Sequence, residues 1–132
     1  MTQMIRRFTL EQQCDEKGNP EEFTSDSFLI VERAKTSHLG ENGLPPVGMR
    51  VYPGMCLIGK FGARLAFSKD RMPNDLEILT SDESALISKY SAMFYDASLY
   101  VPPGIKGEVV HAEIERTAGG KEAAIVDVLV DE

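Results

Sequence analysis

The side chains able to do chemistry are few and scattered. The two histidines, His38 and His111, lie far apart, and neither has a His, Cys or carboxylate at the spacing of a metal site. Glu113 does share a strand face with His111, two residues on. Both histidines are read as structural or solvated, and no metal is expected. Cys56 sits among Met55, Leu57 and Ile58, the setting of a buried, inert thiol rather than a nucleophile. With Cys14 it makes two cysteines, too few for a disulfide framework. The acids Asp82-Glu83 and Asp131-Glu132 read as a helix cap and a tail, not a catalytic pair. There is no Walker-type or dinucleotide glycine pattern. Lys60 follows a turn and could be a lipoyl or biotinyl carrier lysine. Such carriers hold it at a hairpin tip between small or Met residues, whereas here it ends a strand and precedes Phe61-Gly62. No catalytic residue and no cofactor are expected.

Charge narrows the field further. The chain has 132 residues, 14 basic and 21 acidic, for a net charge of -7. A domain that binds nucleic acid unaided usually carries a basic footprint, so autonomous DNA or RNA binding is disfavoured. Arg6-Arg7, Arg33-Lys35, Lys60-Arg64 and Lys69-Arg71 could still form a local patch. No apolar run approaches a membrane span, and MTQMIRRF lacks the apolar core of a signal peptide, so a cytoplasmic location is expected.

The elements that must position these residues are mostly strands. Val47–Lys60 reads as strand, tight turn at Pro53-Gly54, strand, with Gly59 permitting close backbone approach. Arg6–Gln13 alternates weakly, and Phe28–Val31 is a short β-branched run. The polar link Thr36–Pro46 is expected to be an exposed loop, and Pro73-Asn74-Asp75 a turn. One helix is expected at about 81–94, with Thr80 as N-cap, Glu83 reaching back to it, and Leu86, Ile87, Tyr90, Met93 and Phe94 on one face. Ser98–Val101 is extended before the Pro102-Pro103-Gly104 turn. Gly107–Arg116 alternates, with Val110, Ala112 and Ile114 facing one way and Val109, His111 and Glu113 the other. Thr117–Gly120 is a hairpin connection, and the return strand puts Ala124, Val126, Val128 and Val130 on one face. The fold class expected is mainly β: a small barrel-sandwich-hybrid-like domain with one short amphipathic helix and a C-terminal β-hairpin.

The order of several stretches resembles the flap, or wall, domain of the β subunit of bacterial-type DNA-directed RNA polymerase. They are Arg33–Gly40, Gly54–Lys60, Leu79-Thr80 with Glu83, Leu86 and Phe94, and Asp96–Gly104 followed by Gly107 and Val109-Val110. Together they run from about Phe28 to Glu132, leaving 1–27 unaligned. The resemblance implies one domain over 1–132 with a barrel-sandwich core. It also implies a non-catalytic role: lining the RNA exit channel and docking transcription factors beside other polymerase subunits. Nascent RNA would be met only as part of that assembly. In the family a tip helix lies between the hairpin strands; here only Thr117–Lys121 is present. Tyr100 stands where the family usually has Arg. On this reading Arg33, Lys35, Lys60 and Arg64 are the basic contacts to RNA or to polymerase neighbours. The alternative is an independent carrier or adaptor domain of the same fold, unrelated to transcription.

Overall fold

A computed structural model describes residues 4–14, 18–26, 31, 33–64 and 82–131. Phe28–Ile30, Pro73–Asp75, Leu79 and Thr80, named above, lie outside them. The described elements run β1 (Met4–Glu11), β2 (Glu22–Phe23), α1 (Arg33–Thr36), β3 (Arg50–Val51), β4 (Cys56–Ile58), β5 (Lys60–Ala63), α2 (Glu83–Met93), β6 (Phe94–Asp96), β7 (Leu99–Tyr100), β8 (Gly107–Arg116) and β9 (Glu122–Val130). The expected mainly β architecture is what forms: a curled half-barrel sheet, one short helix in α2 and a C-terminal strand pair.

The half-barrel is the antiparallel sheet β1-β9-β8-β3. β9 is central, and its apolar run reflects cover on both faces. Ala124, Val126 and Val128 are buried, with Val130 packed against them, as the alternation requires. Cross-strand rows build the core: Phe8, Val126 and Ala112 form one, and Leu10, Ala124 and Ile114 the next. Leu57 and Ile58 of β4, Val51 of β3 and Val101 just past β7 fill the interior.

β8 departs from simple alternation. Its pairing slips between Val109 and His111, so β8 spends two residues where β9 spends one. The bulge carries Val109 onto the core face with Ala112 and Ile114, and leaves His111 and Glu113 outside. The expected opposition of Val109 to Ala112 and Ile114 is therefore corrected: the extra residue, Val110, resets the parity.

Val47–Lys60 is a corner rather than a hairpin. Gly54 has φ +88°, and Met55 N–H donates to Tyr52 C=O at 3.1 Å, as a turn with Pro second and Gly third needs. The flanking strands take different partners, β3 on β8 and β4 on β7. The turn is held by Gly54 N–H to Val101 C=O and Val101 N–H to Met55 C=O, at 2.9 and 2.8 Å. This ties the corner to the Asp96–Gly104 stretch. At Gly59 a Cβ would lie 2.2 Å from the Thr24 carbonyl, so the expected close approach is real.

Two local expectations change. The helix starts at Glu83 with Asp82 as N-cap, its carboxylate accepting from Ala85 N–H at 2.7 Å. Asp caps as well as Thr, and this start puts Leu86, Tyr90 and Met93 on the buried side with Phe94. The side chain of Ile87 lies outside those described. The link 36–46 is not simply exposed. Thr36, Leu39 and Leu44 are buried, and Gly40 N–H donates to Leu44 C=O at 2.8 Å, folding the loop on itself.

Candidate functional site

The four basic residues meet different fates. Arg33 opens α1, and its side chain lies outside those described. Lys35, on the same helix, is exposed. Arg64 is exposed just beyond β5 and leans on α2. Its Nε donates to Ser91 C=O at 2.8 Å, and its N–H donates to Met93 C=O at 2.8 Å. The last turn of α2 has no basic residue of its own, so Arg64 supplies the cation that its carbonyl end favours.

Lys60 is only 3 % exposed, and its ammonium points inward. Nζ lies 2.8 Å from Glu21 Oε1 and donates to Glu11 C=O at 2.8 Å. Glu21, itself 6 % exposed, also accepts from Gln13 N–H at 2.9 Å and from the Tyr95 hydroxyl at 2.9 Å. Burial by itself would raise the Glu21 carboxyl. Lys60, Tyr95 and the Gln13 amide outweigh it and hold the group below its ordinary range. Gly62 makes room for this arrangement, since a Cβ there would sit 2.2 Å from the Tyr95 ring. The knot ties the end of β1, the approach to β2, the start of β5 and the middle of β6. An outward contact from Lys60 is corrected by this geometry, and the carrier role, already disfavoured by its place in the sequence, finds no exposed ammonium. A Lys is buried almost only when paired, and here its partner is complete.

Other chemistry-bearing groups among the described residues sit as follows. Cys56 is fully buried and its thiol is pushed up to about 11, first by burial. His38, half-buried, places Nε2 2.7 Å from Cys56 C=O. It borders an open concavity of about 430 Å³ walled by Leu39, Leu44, Pro46, Val47 and Ala112. His111 lies 3.4 Å from Glu113 on the exposed face, as their shared strand face foretells. Sequence spacing misses one outer-face pair. Arg7 grips Asp127 with two hydrogen bonds, 2.9 and 3.1 Å, across the β1–β9 register. That hydrogen bonding to Arg7 keeps the Asp127 carboxyl below its usual range. Only the pairing of β1 with β9 brings the two together, so no local pattern could have announced them.

The sequence has known counterparts. The sequence model of the family described as RNA polymerase Rpb2, domain 6, matches residues 1–132. The chain belongs to that family. Curated relatives of this Rpb2 domain 6 chain include a protein named DNA-directed RNA polymerase subunit beta from Solibacter usitatus (strain Ellin6076). It is 34% identical over 113 residues, covering 83% of this chain and 7% of that protein. Proteins of the same name from Chlamydia trachomatis serovar L2 and Chlamydia muridarum are each 32% identical over 100 residues, 76% of this chain and 7% of theirs. The chain thus spans about 7% of the length of the β subunits it matches. Among the described residues, no helix is long and apolar enough to cross a membrane.

Proposed function

We propose that this Rpb2 domain 6 chain works as a flap- or wall-like module of the β subunit in a multisubunit DNA-directed RNA polymerase. It is a non-catalytic barrel-sandwich domain that lines the RNA exit channel and docks transcription factors, acting in the cytoplasm. Its partners are the other polymerase subunits, and nascent RNA is met only within the assembly. The observation that carries this reading is the match to a polymerase β-subunit domain along all of residues 1–132. The pinning of the Pro53-Gly54 corner onto Val101 supports it, because it joins in space two stretches that resemble the flap.

Of the basic residues, Arg33, Lys35 and Arg64 make the contacts to neighbours, and Lys60 holds the frame from within. β8 and β9 meet in a tight connection, with Thr117 N–H donating to Lys121 C=O at 2.7 Å. Docking by a tip helix is thereby replaced by docking along the strands and loops. The test is binding of the purified chain to polymerase core subunits, and separately to single-stranded RNA, over a salt series. Core-subunit binding that weakens with salt is expected, and Lys35→Glu with Arg64→Glu should lower it further. Indifference to both partners at low salt would overturn the proposal.

A further inference from the structure

The outer edge of β1 offers something the β-subunit reading does not use. Gln12 N–H donates to Glu122 C=O at 2.8 Å, which makes residues 12 and 122 a hydrogen-bonded pair. In an antiparallel ladder such pairs alternate. The amides and carbonyls of residues 4, 6, 8 and 10 therefore also face β9. Those of Ile5, Arg7, Thr9 and Glu11 face the opposite way, toward the edge of the sheet.

The domain closes part of this edge itself. Glu11 C=O is taken by the Lys60 ammonium. Just beyond it, Gln13 N–H donates to the Glu21 carboxylate and Gln13 C=O accepts from Glu21 N–H. Over Ile5–Thr9, no partner for the outward amides and carbonyls is found among the described residues. The side chains there are open as well, with Met4 67% and Ile5 63% exposed. A bare stretch of strand edge is a template for one more strand.

Charge selects the occupant. On a chain of net charge -7, this edge carries two successive arginines, one on each face of the sheet. Arg7 holds Asp127 on the outer face. Arg6 lies on the core side, 5.8 Å over the Phe8 ring, and makes no ion pair among the described residues. A second copy of the chain fits poorly. Antiparallel self-pairing centred on this stretch sets Arg6 opposite Arg6, or Arg7 opposite Arg7, of the copy, and like charges directly opposite are destabilising. We infer that the Ile5–Thr9 edge of β1 takes an extended acidic peptide segment of a partner protein, added as a fifth strand to the half-barrel sheet. Its backbone pairs with Ile5, Arg7 and Thr9, its carboxylates lie beside Arg6 and Arg7, and its apolar side chains cover Met4 and Ile5.

The experiment is amide hydrogen exchange on the full chain, read by NMR, with the end-blocked peptide Val-Thr-Val-Glu-Glu-Val-Thr-Val as probe. Expected are shifted and slower-exchanging amides at Ile5, Arg7 and Thr9, with Arg6 and Phe8 unchanged because they already pair with β9. Replacing the probe's glutamates by lysines, or introducing Arg6→Glu, should weaken binding roughly two- to fivefold. Thr9→Pro should abolish it while the chain stays folded by circular dichroism, since that amide faces away from the β9 ladder. Should Thr9→Pro disturb the fold, the probe's effect on the three wild-type amides still decides. Unperturbed amides at saturating probe would overturn the inference and leave the arginines as guards against aggregation. Concentration-dependent protection without probe would overturn it in favour of a dimer. Protection by an oligoribonucleotide but not by the peptide would overturn it in favour of RNA. Each outcome is independent of whether the chain docks on polymerase subunits.

Discussion

A lysine and a glutamate that are both more than nine-tenths buried hold the sheets of this domain together. Removing one member of such a pair strands the other's charge, at a cost of about 3–5 kcal/mol. Lys60→Met should therefore destabilise the chain strongly in urea unfolding, as should Glu21→Leu. The double variant should lose clearly less than the sum, since two apolar side chains can replace a buried ion pair with little penalty. Acid has a related effect. Burial pushes the Glu21 carboxyl up, but Lys60, Tyr95 and Gln13 pull it below its ordinary 4.5. A carboxyl depressed in the folded chain stabilises it above the unfolded value, and that stabilisation is lost as pH falls through the folded value. Unfolding free energy should thus decline below about pH 4.5, and Glu21→Gln should flatten the decline. The paired state of Lys60 was not legible in the sequence, because its partners arrive from distant segments. Cys56 was legible, because its immediate neighbours are all apolar.

At the scale of elements, β6 and α2 depend on what their neighbours leave out. Tyr95 reaches Glu21 only because Gly62 has no side chain beneath its ring. Gly62→Ala would place a methyl into that ring, and overpacking of this kind costs about 1–3 kcal/mol. The thermal midpoint should drop, and pairing with Tyr95→Leu should recover part of the loss. The existence of α2 could be read from the spacing of Leu86, Tyr90 and Met93, but its start could not. Several residues near position 82 can cap, and packing of the buried face chooses among them. The 36–46 link misled for a similar reason. Its glycines and prolines signal a turn, while Leu39 and Leu44 find burial only against distant segments, Leu39 beside Gly59 and Leu44 in the main core.

For the whole molecule, the strand alternation was enough to reveal a mainly β fold and the core face of β9. Beyond the β8–β9 hairpin, it could not reveal which strands pair. β3 and β4 adjoin in sequence yet serve different sheets, because the Pro53-Gly54 corner redirects the chain. Partner choice rests on contacts between segments far apart, where hydrophobic patterning is silent. The same holds for the surface: strand register matches Arg7 with Asp127, and Arg50 meets Asp131 just past the end of β9.

The bulge in β8 gives that strand something like a reading frame. Up to Val109 the odd-numbered side chains point into the core; from Ala112 onward the even-numbered ones do. Deleting one valine of the Val109-Val110 pair moves no other side chain to the wrong face. Removing it restores plain alternation, with His111, Glu113 and Glu115 still outside, and only straightens the sheet. Removing Ala112 instead leaves β8 to absorb the loss at the bulge, which turns His111 into the core place opposite Val126 that Ala112 held. The Val110 deletion should fold, with an altered near-ultraviolet spectrum and a modest loss of stability. The Ala112 deletion should lose distinctly more stability, with His111 pressed into the core against Val126. If both deletions unfold alike, β8 keeps no such frame.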